Sequence, residues 1–138
     1  DQIREMGWEI SEDSLRKGLK EVTLLTGFKG RWQILGENPK IIADTGHNEP
    51  GIRAILGQLE SYPFENLWMV IGMVQDKDIS KILALLPKSA RFVFCQADLP
   101  RAMSAGLLAE KAAEFGLKGE KAAKGLTYYE RGERVSYF

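Results

Sequence analysis

Three apolar runs, each closed by polar or glycine residues and each followed by apolar positions at helical spacing, give this chain its pattern. Ile41, Ile42 and Ala43 end in Asp44-Thr45-Gly46-His47-Asn48-Glu49, and Pro50 then opens a segment with Ile52, Ile55, Leu56 and Leu59 in helical phase. Residues 67–72 are apolar throughout; after them Asp78 is placed to cap a helix in which Ile79, Ile82, Leu83 and Leu86 repeat until Pro87. Residues 91–95 form the third run. Asp98, Pro100 and Arg101 lead from it into a helix carrying Leu107, Leu108, Ala112 and Phe115, stopped by Gly116. Runs without polar alternation suit strands buried on both faces of a parallel sheet.

Three strand-then-helix units with short connections predict an α/β fold: an open, mainly parallel, Rossmann-like sheet with helices on both faces. The strands near Ile41, Leu67 and Arg91 are expected to be adjacent or nearly so. Upstream, Ser11 is a candidate N-cap, and Leu15, Leu19 and Val22 then form one stripe of an amphipathic helix ending near Gly27. Residues 28–34 alternate as a half-exposed strand does, and Asn38-Pro39 marks a turn before the Ile41 strand. The tail, residues 117–138, carries Tyr128-Tyr129, a turn over 131–134 and an edge-strand candidate over 135–138.

At 138 residues, 44% hydrophobic and 28% charged, the chain is long enough for one domain with a proper core and too short for two ordinary ones. Lysine plus arginine equals aspartate plus glutamate at 19 each, so no basic field favours a nucleic-acid partner. No apolar run approaches the roughly 20 residues of a membrane span, and the first residues lack a signal-peptide pattern. The single cysteine, Cys95, lies inside the third apolar run and reads as a buried core thiol; together these features predict a reducing cytoplasm.

In open α/β sheets ligands sit at the carboxyl ends of strands, so the loop after Ala43, which holds the only histidine, is the first candidate site. Asp44 and His47 there could be ligands, acid/base groups or staples of their own loop. Arg31 on an alternating strand could be a solvated side chain, and Lys77 in Asp76-Lys77-Asp78 could be part of a capped turn.

The residues around these positions are similar to those of a known family. Asp44-Thr45-Gly46-His47-Asn48-Glu49-Pro50 resembles the Asp-(Gly/Tyr)-Ala-His-Asn-Pro motif that opens the C-terminal domain of the Mur ligase superfamily. Gly30-Arg31 upstream and Gly72-Met73-Val74-Gln75-Asp76-Lys77-Asp78 downstream resemble elements of its folylpolyglutamate synthase/dihydrofolate synthase branch, in the right order. The chain departs from that pattern at Thr45-Gly46, at Glu49, which separates Asn48 from Pro50, and in lacking a closing Gly-Gly-Ser strand.

The resemblance implies that residues 30–138 are a Mur-ligase-type C-terminal domain, truncated or remodelled at its end, where the family has a helix and a final strand. Residues 1–29 would be a linker helix or the tail of a preceding ATPase domain. It implies an ATP-dependent amide ligase that adds glutamate to a folate or pteroate through an acyl phosphate, with ATP and Mg2+ as cofactors and the metal held mainly by the central ATPase domain. Arg31 and His47 would then be catalytic, Arg31, Asp44, His47 and Asn48 would face the nucleotide, and Lys77 would hold the incoming glutamate. The chain contains no Gly-x-x-x-x-Gly-Lys-(Ser/Thr) phosphate cradle, so by itself it is expected to be inactive and to depend on its own ATPase domain. Its partners would be small molecules, with no nucleic acid or membrane, and the protein a monomer. A peptidoglycan-precursor ligase of the same superfamily, a stand-alone nucleotide-binding module and a structural domain with a stapled loop are the alternatives.

Overall fold

The structure, a computed structural model, describes residues 2–75 and 79–122 and the backbone of residues 127–130 and 133–136. It divides into two compact units, Asp1–Asp44 and Thr45–Phe138.

The first unit opens with helices α1 (Gln2–Glu5), α2 (Glu12–Lys20) and α3 (Val22–Thr26). α2 starts where the sequence predicts, because the Ser11 hydroxyl accepts the Ser14 N–H at 3.1 Å and satisfies one of the orphan donors of the first turn. The predicted single helix is two helices that share Glu21, and the second ends at Gly27, whose φ of 65° favours glycine. Its apolar stripe is exposed, at 46% for Leu15 and 70% for Leu19.

Strands β1 (Gln33–Glu37) and β2 (Lys40–Ala43) complete the unit as an antiparallel hairpin in which Gln33 faces Ala43 and Ile34 faces Ile42. This corrects two expectations. The half-exposed strand does not begin at residue 28 but at Gln33, because Trp32 has φ 43° and cannot continue a strand backwards. The Ile41 strand is not a member of the parallel sheet: the two-residue link Asn38-Pro39 returns the chain at once, and so short a link joins only antiparallel strands. Nor is that strand fully buried; Ile41 is exposed and Ile42 and Ala43 are half-buried.

The second unit runs α4 (Glu49–Leu59), β3 (Trp68–Ile71), α5 (Ser80–Leu85), β4 (Arg91–Phe94), α6 (Ala105–Glu114) and β5 (Lys118–Lys121), with β3, β4 and β5 forming a parallel sheet in that order. The α/β class and the parallel sheet are therefore as predicted. Asp78, expected to cap α5, lies outside the described residues. α5 ends where Leu86 turns extended ahead of Pro87, and α6 is capped by Ser104, whose hydroxyl accepts the Leu107 N–H, and closed by Gly116 at φ 76°. Phe92 and Phe94 point to one face of β4 and stack at 5.8 Å; Ile52, Ile82, Leu83 and Leu108 from the three helices close around them. Each such side chain removed from water stabilises the fold by about 1.5 to 3 kcal/mol.

β3 differs from expectation, since Trp68 and Val70 are half exposed and the Arg91 guanidinium lies 5.4 Å above the Trp68 ring. β5 was not predicted at all: Lys118, Gly119, Glu120 and Lys121 are exposed, and the strand exists because its backbone completes the β4 ladder while Leu117 is buried beside it. Gly119 is required there, because a Cβ would come within 2.6 Å of the Phe92 Cβ. In the tail β6 (Thr127–Glu130) pairs antiparallel with β7 (Glu133–Ser136), where the family pattern has a helix and a strand. The strand candidate over 135–138 thus falls partly in β7, while residues 131, 132, 137 and 138 lie outside the described ones.

Cys95, at the end of β4, is buried as expected, and burial pushes its thiol up from the ordinary range, partly opposed by a backbone hydrogen bond. No described helix is long and apolar enough to cross a membrane.

Candidate functional site

The expected site residues fall into the two units separately. In the first, the hairpin register carries one step past Gln33 and Ala43 and sets Asp44 opposite Trp32. The Asp44 carboxylate accepts the Trp32 N–H at 2.8 Å through one oxygen, and Arg31 Nη1 stands 3.5 Å from the other. Asp44 is 15% exposed at its side chain and Arg31 57%. A pair so long and so open adds little stability. The backbone contact is the structural one, since it holds Trp32 in its left-handed conformation. On the other side of the turn Gly30, at φ 82°, donates its N–H to Gln33 Oε1 at 3.0 Å. The Gly30-Arg31-Trp32 corner is therefore a fixed loop, fastened at both ends, that presents an arginine to solvent.

In the second unit Asn48 is the N-cap of α4: its side-chain oxygen accepts the Gly51 N–H at 2.9 Å, and Pro50 occupies the first turn, where its missing N–H is not needed. Glu49, the insertion that separates Asn48 from Pro50, becomes the first helical residue and pairs with Arg53 at 2.9 Å, one turn on. His47 is exposed, and its Nδ1 lies 3.0 Å from the Thr45 carbonyl, which can only accept, so Nδ1 is the donor in that bond. Sequence reading missed Gly51 as part of this loop. A Cβ there would stand 2.9 Å from Asn48 Oδ1 and 3.2 Å from the Gly46 Cα, so only glycine lets the cap close. A glycine three residues after a capping asparagine was the available signal.

The carboxyl edge of the parallel sheet is the third part. Gly72 lies against Cys95, where a Cβ would meet the Cys95 carbonyl oxygen and Sγ at 3.2 Å. Beyond it Met103 donates its N–H to Met73 at 2.8 Å, and Gln75 donates its N–H to Arg101 and its Nε2 to the Ala102 carbonyl, both at 2.9 Å. Lys77, the expected glutamate contact, lies outside the described residues. A hollow of about 510 Å³ lined by Ala84, Lys88 and Phe115 sits at the carboxyl ends of the helices instead, the opposite edge of a parallel sheet, and contains none of the expected site residues.

The second unit, a parallel three-stranded sheet with helices between its strands and fastened loops at its carboxyl edge, is an α/β domain. The family model described as Mur ligase, glutamate ligase domain, matches residues 30–136, and the chain belongs to that family. It is 34% identical over 94 residues to the dihydrofolate synthase/folylpolyglutamate synthase of Escherichia coli strain K12, covering 67% of this chain and 21% of that protein. Among solved structures it is similar to the E. coli protein FolC in complex with DHPP and ADP, with a TM-score of 0.69 and 28% identity over 88% of this chain and 28% of that one. It is also similar to a bifunctional folylpolyglutamate synthase/dihydrofolate synthase with Mn, AMPPNP and L-glutamate bound, with a TM-score of 0.62 and 25% identity over 83% of this chain and 32% of the other. The chain thus spans about a fifth of that curated relative and less than a third of those solved chains.

Proposed function

We propose that this chain is the C-terminal part of an ATP-dependent ligase that joins glutamate to a folate or dihydropteroate. In that reaction ATP phosphorylates the acceptor's terminal carboxylate, the glutamate amine attacks the acyl phosphate, and an amide forms with release of phosphate and ADP. The observation that carries the reading is the family match from Gly30 onward, together with relatives whose solved forms hold ADP, AMPPNP, DHPP or L-glutamate. A peptidoglycan-precursor acceptor is the alternative within the family, and assay of both acceptor types separates the two.

The residues fit a nucleotide. Arg31 is held at its backbone and exposed at its guanidinium, as suits a group that meets phosphate oxygens. Asp44 fastens Trp32, and a carboxylate can serve several donors at once, so ribose hydroxyls can share it. His47 is exposed, and Asn48 shapes the α4 start, whose N–H groups favour anions. Lys77 is assigned to the glutamate carboxylate by resemblance alone. Mg2+ is needed to neutralise the transferring phosphate; no group of three potential ligands occurs among the described residues, and we assign the metal to the central ATPase domain.

Residues 1–29 belong, on this reading, to the tail of that ATPase domain, which would cover the apolar faces of α2 and α3. The intact protein is a cytoplasmic monomer and the isolated chain inactive, for want of a phosphate cradle.

The test is steady-state kinetics of the full-length protein with melting temperatures alongside. Arg31→Ala should lower kcat on the order of 10² to 10³, because the charge it meets grows in the transition state. Asp44→Ala should raise the KM for ATP and also slow turnover, since Trp32 loses its anchor; Asp44→Asn, which keeps an acceptor for Trp32, should mainly raise KM. Wild-type kinetics in all three variants would overturn the assignment.

A further inference from the structure

We infer that the amino ends of β3, β4 and β5 carry a binding site of their own, in which Trp68, Arg91 and Lys118 hold an aromatic ligand with several carboxylates. That is the chemistry of a glutamylated folate, and the identity of the ligand rests on the ligase reading above. The sheet register sets the first residues of the three strands in one row, Trp68 beside Arg91 and Arg91 beside Lys118. Register partners share a face, and so do alternate residues along a strand, so Val70, Val93 and Glu120 form the next row of the same face. The opposite face carries Phe92 and Phe94 into the core. On this one Trp68 is 52% and Val70 48% exposed, and Arg91 and Lys118 are exposed beside them.

The charges on this row point to an anion. Arg91 and Lys118 stand side by side on strands about 4.8 Å apart, and like charges so placed destabilise a sheet. Arg16, Lys40 and Arg53 each pair with a glutamate one turn or one hairpin step away, whereas neither Arg91 nor Lys118 has a carboxylate partner among the described residues. Arg91 lies over the Trp68 ring instead, at 5.4 Å, a contact that orients the guanidinium without using up its N–H donors. A carboxylate set between Arg91 and Lys118 removes their repulsion and meets a fork of donors on one side and an ammonium on the other. An aromatic ring has Trp68 to lie against. The surface is a sheet face and not a hollow, which suits an extended ligand held at several points. A folate bearing glutamate has that composition, an aromatic body with α- and γ-carboxylates at its tail. Glu120, one row towards the carboxyl edge, repels carboxylates and keeps the tail on the first row.

The experiment uses the full-length protein labelled with 5-fluorotryptophan, in which Trp68→Phe identifies the Trp68 fluorine resonance. This signal reports the row itself, whatever else binds elsewhere on the protein. Pteroyl-γ-triglutamate should shift the Trp68 resonance in a saturable way, with a midpoint that rises with salt. Lys118→Gln, which leaves ring and fold untouched because Lys118 is exposed, should raise that midpoint by roughly 3- to 5-fold, and Lys118→Arg should stay near wild type. Pteroate, which lacks the glutamates, should bind more weakly and be indifferent to Lys118→Gln. Glutamate-dependent turnover with a Trp68 resonance that triglutamate does not move overturns the inference alone. So does a midpoint unchanged in Lys118→Gln, or pteroate binding as tightly as the triglutamate. A full-length wild type without glutamate-dependent turnover overturns the ligase reading, and with it the identity of the ligand.

Discussion

The two units of this protein use their apolar side chains in opposite ways. From Thr45 onward Phe92, Phe94, Leu83 and Leu108 are at most 1% exposed, sealed by helices that follow the strands in sequence. Before that point only Gly30 is buried among the described residues, while Leu24, Met6, Leu19 and Trp8 are between 66% and 83% exposed. Amphipathic pattern is present in both; a partner for the apolar face within the unit is present in one. The difference teaches that a helix's hydrophobic stripe marks where it must be covered, not what covers it. On the proposed reading the cover for residues 1–29 is the ATPase domain of the longer protein.

Phe92→Ala should have the largest effect on this contrast. It opens a cavity in the only sealed core among the described residues and should destabilise the isolated chain by about 3 to 5 kcal/mol in urea unfolding. A loss below about 1 kcal/mol would mean that the second unit is not built around β4.

A middle-sized effect is expected at the α4 start. Asn48→Ala removes the acceptor for the Gly51 N–H and should cost about 1 kcal/mol, whereas Asn48→Asp, another good cap, should stay close to wild type. If both variants melt alike, the cap is not what organises the loop holding His47.

The smallest expected effect is the most telling for the comparison. Leu24→Ala, at 83% exposure, should change the stability of the isolated chain by no more than about 0.5 kcal/mol. In the full-length protein the same substitution should cost several times more, as burial of a leucine is worth roughly 1.5 to 3 kcal/mol. An equally small change in both settings would remove the idea that the first unit docks on a preceding domain.

By itself the sequence determined what depends on residues within a turn or two. The Ser11 cap, the helix opened at Pro50, the Gly27 and Gly116 helix ends, the strands at 68–71 and 91–94 and the apolar faces of α4, α5 and α6 all follow from local spacing and capping chemistry. The motif residues too were legible as a candidate site. Partners distant in sequence were decided by the tertiary structure. Three apolar residues at 41–43 are consistent with a parallel core strand or with one arm of a hairpin, and the ladder with β1 settles it. β5 has no apolar pattern to read, and exists because β4 offers it hydrogen bonds. The left-handed Trp32, held by Asp44, and the Gln75 amide on Ala102 are likewise invisible in spacing, because their partners lie 12 and 27 residues away. A side chain's helical phase is set by its neighbours in the chain, but a hydrogen-bond partner is set by which backbone the fold brings alongside it.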